Sequence, residues 1–298
     1  MRKQLFSWAG AALIVCAVSA APSTARGAQT YGVTTSNVLF TFDTATPGTI
    51  SNGFAISGFA SAIENIIGID FRPATGQLFA MGSFGQLYTV NTSNAVLTAV
   101  GSPTTIDGTS FGFDFNPTID RIRVVSNTNK NYVFNPITGG LDLAATDLSY
   151  GAGDPAVGVD PNVVGIAYTN TLGGPPTQLY AIDAGIDVLA TLANNTGVLS
   201  TVGGLATVNT GSLVGFDVFS PSTGVNTAYA TLTPTGSSIS NLYTINLATG
   251  TATLVGQING GTLVTDIAVV PVPEPTALAT TCLIASALLW RRRRGAER

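Results

Sequence analysis

One short segment recurs five times along this sequence at intervals of about fifty residues. The copies read IIGIDFRP (66–73), FGFDFNP (111–117), VVGIAYTN (163–170), LVGFDVFS (213–220) and LVTDIAVV (263–270). The residues Gly68, Gly112, Gly165, Gly215 and Thr265 occupy the matching position, with spacings of 44, 53, 50 and 50 residues. A period of this length indicates a repeat architecture in which each repeat is one supersecondary unit.

Each repeat contains four short segments of alternating apolar and polar residues. In one repeat, the segment 66–73 is followed by GQLFAMG (76–82), GQLYTVNTSNA (85–95) and VLTAVG (96–101). The alternation is typical of β-strands, and the Gly, Asn and Thr residues between the segments are typical of hairpin turns. Four strands in about fifty residues is the unit of a β-propeller blade.

The boundaries of the domain do not coincide with the boundaries of the repeat units. The domain begins in mid-unit with TYGVTTS (30–36) and ends after the first-type segment 263–270. The last segment can therefore supply the missing strand of the first unit, which closes a ring without open sheet edges. We predict an all-β, five-bladed β-propeller over residues 29–270, closed by the pairing of its N- and C-terminal strands. An open solenoid or a sandwich is the alternative, but neither explains the divided unit.

Two longer motifs resemble a known family. FGFDFNPTIDRIRVVS (111–126) and GVDPNVVGIAYTN (158–170) are similar to secreted bacterial propeller-like domains that are described only as a domain of unknown function. The resemblance covers most of residues 31–270. It implies the propeller fold and carries no known activity.

The N-terminal segment is typical of a secretory signal peptide. Arg2 and Lys3 precede an apolar stretch (8–20), and small residues follow at 23–25. We therefore expect residues 1–25 to be a signal peptide and the protein to be exported. The two cysteines, Cys16 and Cys282, fall in the apolar terminal segments, so the domain between them has no disulfide and no thiolate.

The C-terminal segment, residues 271–298, combines a proline-rich triplet, an apolar run (276–290) and an arginine cluster. This order resembles the PEP-CTERM sorting signal. The resemblance implies recognition by an exosortase, a membrane-embedded cysteine-protease-like enzyme, with cleavage near the triplet, in a Gram-negative producer of exopolysaccharide or biofilm. The residues that match the signal are Pro273, Glu274, Pro275, Arg291, Arg292, Arg293 and Arg294.

The physical properties of this tail are those of a transient membrane helix. Fifteen residues rise about 22 Å as a helix, which is less than the ~30 Å hydrocarbon core of a bilayer. The arginine cluster favours the cytoplasmic side and leaves the propeller outside. We expect an inner-membrane precursor and a final location at the cell envelope, at the outer surface or outside the cell. A plain tail anchor is the alternative.

Charge and composition restrict what the domain does. Residues 29–270 hold four basic and 14 acidic residues, a formal charge of −10, which makes nucleic acid an improbable partner. The sequence has no histidine, which excludes histidine-based nucleophilic catalysis, and Glu64 is the only glutamate of the domain. We expect no cofactor and a non-enzymatic binding or structural role, with exopolysaccharide or another matrix component as partner. The alternative is a secreted enzyme that acts on a polysaccharide or a lactone through aspartates, with Ca²⁺ as an option.

Three aspartates of the repeated segment form the first candidate site. Asp70, Asp114 and Asp217 lie in or near the strands that line the channel of a propeller, where they could bind a cation. Buried repeat aspartates more often accept backbone hydrogen bonds that join neighbouring blades. Ala167 in the fourth copy and the shifted fifth copy weaken a ring, so the structural interpretation is favoured.

The second candidate site is the turn-rich connector DLSYGAGDPAVGVDPN (147–162). Its potential ligands are Asp147, Tyr150, Asp154, Asp160 and Asn162. The spacing matches no EF-hand, and a structured connector is the favoured interpretation.

Three of the four basic residues of the domain, Arg121, Arg123 and Lys130, fall within ten positions. They could recognise an acidic sugar, or they could form a paired, solvated strand face, which is the favoured interpretation.

Overall fold

The computed structural model describes residues 27–172, 176–206 and 208–271. Within these ranges the chain forms 21 β-strands, and none of its segments is a helix long and apolar enough to cross a bilayer. The predicted signal peptide (1–25) and the predicted membrane helix (276–290) lie outside the described residues.

The strands form five sheets, and each sheet is one blade that runs from an inner strand at the axis to an outer strand at the rim. Blade I consists, from inside to outside, of β21 (Val264–Val269), β1 (Gln29–Thr34), β2 (Val38–Asp43) and β3 (Ile50–Ala55). Blade II consists of β4 (Ile66–Arg72), β5 (Gln77–Gly82), β6 (Leu87–Val90) and β7 (Leu97–Val100). Blade III consists of β8 (Phe111–Asn116), β9 (Arg121–Ser126), β10 (Asn131–Phe134) and β11 (Leu141–Ala144).

The last two blades follow the same order, and blade IV has an extra strand. Blade IV consists of β13 (Val163–Tyr168), β14 (Leu179–Asp183), β15 (Val188–Ala193), β16 (Val198–Gly204) and, at its outer edge, β12 (Ser149–Tyr150). Blade V consists of β17 (Thr210–Ser222), β18 (Val225–Pro234), β19 (Asn241–Ile245) and β20 (Ala252–Gln257).

The inner strands β21, β4, β8, β13 and β17 are neighbours in that order around a closed ring. The predicted all-β, five-bladed propeller is therefore confirmed, and each copy of the repeated segment forms one inner strand. β8 and β13 are buried at every position because neighbouring blades cover both of their faces. The outer strand β11, by contrast, is exposed throughout.

The ring is closed by antiparallel pairing of the first and last strands. Thr30 is opposite Val269 and Gly32 is opposite Ile267, and the backbone N–H of Val270 donates to the carbonyl of Gln29 at 2.8 Å. This pairing was predicted from the phase of the repeat and is confirmed. It leaves no inner edge open to another chain.

The hydrophobic core lies between the blades and is divided into five clusters, one at each blade interface. At the interface of blades II and III, the rings of Phe79 and Phe115 meet edge to face with centroids 5.3 Å apart. This arrangement is favourable for aromatic pairs. The apolar alternation of the middle strands therefore serves packing between blades.

The fifth copy of the repeat is aligned differently from the sequence-based prediction. The pairing register shifts between Ile66 and Gly68 on β4 and between Val163 and Gly165 on β13, and the same shift on β21 skips Thr265. The equivalent of the inner-strand glycine is therefore Asp266, and the prediction of Thr265 was wrong by one residue. The bulge is common to these three strands, and the fifth copy differs because it has Asp266 where the others have glycine, so no glycine anchored its alignment.

The strand β12 was not predicted. Ser149 and Tyr150, within the turn-rich connector, pair in parallel with Val198 and Leu199 of β16. Two residues are too few to show a strand period, and the pairing depends on a strand almost fifty residues away.

Candidate functional site

Four buried aspartates lie on the inner strands, and we call them the axial aspartates. Asp70, Asp114, Asp217 and Asp266 are 7%, 2%, 4% and 6% exposed. The sequence indicated the first three. Asp266 was missed because it takes the place of the inner-strand glycine, and only the one-residue offset on β21 would have revealed it.

Three of the axial aspartates join neighbouring blades through backbone hydrogen bonds. Asp70 accepts the N–H of Phe71 at 2.6 Å and, across the interface of blades II and III, the N–H of Phe115 at 2.8 Å. Asp266 accepts the N–H of Ile267 at 2.9 Å and, in blade II, that of Ile69 at 2.8 Å.

Asp217 does the same between blades V and I. Its two carboxylate oxygens accept the N–H groups of Val218 and Val269, both at 2.5 Å. This is the geometry that the structural interpretation of the aspartates predicts. Asp114 follows it only in part: burial raises its pKa and the backbone N–H of Tyr168 in blade IV opposes that increase, but its Oδ1 has no hydrogen-bond partner in the described ranges.

Burial raises the pKa of every axial aspartate, because desolvation disfavours the charged form. The pKa of Asp217 rises to about 6. The negative charge of Asp217 adds to the increase at Asp70, and that of Asp70 adds to the increase at Asp114. These carboxyl groups are therefore easier to protonate than ordinary aspartates.

The geometry of the axial aspartates is unlike a metal site. The cavity above Asp70 and Asp217 has a volume of about 10 Å³, enough for about one water molecule. Across residues 27–172, 176–206 and 208–271, no group of three or more acidic, His or Cys side chains has an arrangement that could hold a metal ion.

The predicted ligands of the connector 147–162 point to different partners. Asp147 forms an ion pair with Lys130 at 2.7 Å, and Asp160 accepts from the Asn129 amide at 2.6 Å. Asp154 accepts the backbone N–H and the hydroxyl of Thr201 at 2.6 and 2.7 Å. The structure therefore does not bring these three carboxylates together in one site.

The other two predicted residues of the connector meet at a residue that the sequence did not single out. The hydroxyl of Tyr150 donates to one carboxylate oxygen of Asp183 at 2.8 Å. The backbone N–H of Asn162 donates to the other carboxylate oxygen of Asp183 at 3.2 Å. Asp183 is 1% exposed and also accepts the N–H of Gly185 at 2.8 Å. It ties both ends of the connector to β14.

Replacement of Asp154 by alanine tests this structural interpretation. The three hydrogen bonds from Ala156 and Thr201 would be lost, and they lower the pKa of Asp154 against the opposing effect of burial. We expect the free energy of unfolding to fall by about 1–2 kcal/mol. Chemical denaturation measures this change, and addition of Ca²⁺ to the unmodified protein should leave its Tm unchanged. A Tm that rises with Ca²⁺ and returns to its original value with chelator in the unmodified protein, but not in Asp154→Ala, would instead place a calcium ion in the connector.

The basic residues of β9 and its turn separate into two kinds. Arg121 pairs with Asp142 at 2.5 Å and Lys130 pairs with Asp147, as expected for a paired strand face. Arg123 does not fit that expectation. It is 2% exposed and forms no ion pair with a described carboxylate, so the prediction of a solvated face was wrong for this residue. The turn of blade IV that covers it is some seventy residues away in sequence, beyond the reach of a local pattern.

The fold and these residues define a class: a closed five-bladed β-propeller whose inner strands carry buried, blade-joining aspartates. The family model "Domain of unknown function (DUF4394)" matches residues 38–268, and the chain belongs to this family. No curated protein matches the sequence.

Two solved structures show distant similarity. The hydrazine synthase of Kuenenia stuttgartiensis is 14% identical with a TM-score of 0.38, over 69% of this chain and 51% of that one. The present chain thus spans about half of the hydrazine synthase chain. A chain from the crystal structure of a nidogen/laminin complex is 12% identical with a TM-score of 0.45, over 82% of this chain and 98% of that one. At these TM-scores neither similarity bears on function.

Proposed function

We propose that this protein is an exported binding or structural component of the cell surface or extracellular matrix, processed by an exosortase and without catalytic activity. The observation that carries the proposal is the order of the tail: Pro273-Glu274-Pro275, then the apolar run 276–290, then Arg291 to Arg294. The basic and apolar segment at 1–25 supports export.

Two properties of the domain favour binding over catalysis. The sequence has no histidine, and three axial aspartates already use both carboxylate oxygens for backbone hydrogen bonds. A general acid or base must exchange protons with a substrate, and groups engaged in this way are poorly placed to do so. A rigid ring with loops at both ends is instead a suitable scaffold for recognition.

Substitution of the triplet tests the sorting role. In a producer that contains an exosortase, we expect the triple variant Pro273→Ala, Glu274→Ala, Pro275→Ala to remain in the membrane at full length, whereas the unmodified chain loses its tail and leaves the membrane fraction. Pro271→Ala, just outside the triplet, is the matched control and should behave as the unmodified chain does. Immunoblots of membrane and outer fractions measure both. Equal size and distribution for the triple variant and the unmodified chain would contradict the proposal.

Binding is tested separately, with matrix polysaccharide isolated from the producer. We expect the full-length chain to sediment with this polysaccharide and to leave its size distribution unchanged. Absence of co-sedimentation would refute the proposed binding role.

A polysaccharide- or lactone-hydrolysing enzyme is the second candidate. The observation that favours it is Asp114, which combines a raised pKa with an unpartnered Oδ1. Turnover of matrix polysaccharide that is lost in Asp114→Asn, while folding is retained, would establish this candidate over the first. The assay is run with Ca²⁺ and with chelator, so that a dependence on the ion is detected in the same experiment.

A further inference from the structure

Arg123 is a buried cation held in place by neutral groups. Its Nη1 donates to the Asn131 side-chain oxygen at 2.6 Å and to the carbonyl of Asn194 at 3.0 Å. Its Nη2 donates to the side-chain oxygen of Asn195 at 2.9 Å. All three acceptors are amides, so the guanidinium is positioned without being neutralised.

Arg123 has no carboxylate of the described residues in direct contact with it, although the buried Asp114 is its cross-strand partner on β8. The other three basic residues of the described ranges, Arg72, Arg121 and Lys130, each form an ion pair with an aspartate at 2.5–2.7 Å. Arg123 forms none, and its buried Nε has no hydrogen-bond acceptor. The Tyr168 hydroxyl is close by: burial raises its pKa, and Arg123 opposes that increase. A buried charge and a buried donor without partners are costly, and such groups are uncommon unless water or a ligand satisfies them.

Arg123 lines a pocket of about 370 Å³ between blades III and IV. Three connections form its walls: β8–β9, with Thr118 and Ile119, β13–β14, with Pro176 and Thr177, and β15–β16, with Asn194 and Asn195. This volume lies within the range of about 300–1,000 Å³ that is usual for small-molecule sites. The pocket is therefore large enough for one small ligand.

The walls of the pocket are already fixed by hydrogen bonds. The side chain of Asn116 accepts the N–H of Thr118 at 2.9 Å, and the side-chain oxygen of Asn194 accepts the hydroxyl of the buried Tyr168. The Asn131 amide donates to the carbonyl of Asn194 at 2.8 Å. A ligand that enters would not have to order these groups, which favours affinity.

We infer that this pocket binds the carboxylate of a hydroxyl-rich small molecule of the uronic acid type, with Arg123 as the carboxylate-binding residue. The guanidinium lines the pocket and forms no ion pair, and its positive charge is suited to a carboxylate. The amides of the walls are suited to hydroxyl groups, and Ile119, 55% exposed, offers an apolar surface to the C–H face of a sugar. The overall acidity of the domain disfavours ligands with several negative charges.

This inference specifies a ligand class for the binding role proposed above, and it rests on that role. The two can fail independently. Export and sorting concern the terminal segments, whereas the pocket is tested on purified protein with a simple acid as the probe.

Calorimetric titration of the full-length chain in detergent tests the site, with D-glucuronate as probe and D-glucose as its uncharged match. We expect saturable binding of glucuronate, at least tenfold weaker binding of glucose, and a loss of about tenfold or more in Arg123→Met. Arg121→Met is the matched control, because it removes the same charge from the same strand outside the pocket. It should bind glucuronate within about twofold of the unmodified chain.

A second variant keeps the test valid if Arg123→Met does not fold. Thr118 lies exposed on the β8–β9 turn, so Thr118→Trp fills the pocket mouth without removing a buried group, and it should abolish binding while the Tm is retained. Absence of saturable glucuronate binding at about 10 mM overturns the inference. Binding that survives in Thr118→Trp, or sulfate binding as tight as that of glucuronate, overturns it as well.

Discussion

Replacement of Gly112 by alanine is expected to lower the free energy of unfolding by about 3 kcal/mol or more. A Cβ atom at this position on β8 would lie 2.7 Å from the backbone nitrogen of Ile166 and 2.9 Å from the carbonyl carbon of Gly165 on β13. Both are backbone atoms of a buried inner strand. They can give way only if blade IV moves relative to blade III, which would disturb the packing at the axis of the ring.

The matched control for this variant is Gly53→Ala on β3, the outer strand of blade I. A Cβ atom there would meet only the Val38 Cγ1, at 3.8 Å, which is an ordinary contact. We expect a change within about 0.5 kcal/mol, because alanine also restricts the unfolded chain more than glycine does. Denaturant unfolding at constant m measures both variants. Similar effects of the two substitutions would show that the inner strands are not closely packed against each other.

The second large effect is a loss of stability as the pH rises through the range of the axial aspartates. A carboxyl whose folded pKa is raised binds its proton more tightly in the folded state. Its contribution to the free energy of unfolding is therefore complete below the unfolded pKa of about 4. That contribution is lost as the pH rises through the folded pKa. For Asp217, with a folded pKa of about 6, the loss is about 3 kcal/mol by neutral pH. Asp70, Asp114 and Asp266 act in the same direction.

The carboxyls with lowered pKa act at more acidic pH. The guanidinium of Arg72 lowers the pKa of Asp120, so the stability that Asp120 contributes is lost only as the pH falls through its own low folded value. The axial aspartates therefore dominate above about pH 4, and the contribution of Asp217 is lost as the pH rises through about 6. We expect the free energy of unfolding to decrease across this window, which is the reverse of the usual acid denaturation.

Denaturant unfolding at a series of pH values measures this profile. Asp217→Asn should flatten it, because the amide carries no charge at any pH. Asp142→Asn removes an exposed carboxyl from β11 and should leave the slope unchanged. Stability that rises steadily from about pH 4 to pH 7 would show that the axial carboxyls are ionised without penalty in the fold.

Much of the fold was predictable because its determinants are local. Alternating segments such as QLFAMG and the Asn, Thr and Gly turns between them depend on neighbours within a few residues, and the structure places a strand at each of them. The closure of the ring followed from counting strands, since the missing partner of β1 was already present as residues 263–270.

Three of the buried aspartates were predicted from the sequence and two were missed, and the physical reason differs from one residue to another. Asp70, Asp114 and Asp217 share one position of the repeat, so the period alone brought them together. Asp266 was hidden because it replaces the glycine that marks the other four copies, so the fifth copy was aligned one residue too early. Asp183 was hidden because its three donors come from the connector and the following turn, and no period relates them.

The sequence by itself determined the number of blades, their boundaries and the strand that closes the ring, because strand period and turn chemistry act over a few residues and the repeat multiplies their signal. Only the tertiary structure decided which polar groups lost their water. The burial of Arg123 and the raised pKa values of the axial aspartates arise where strands and turns from different blades meet. Desolvation depends on everything that surrounds a group in space, and segments fifty to two hundred residues apart supply those surroundings in this protein.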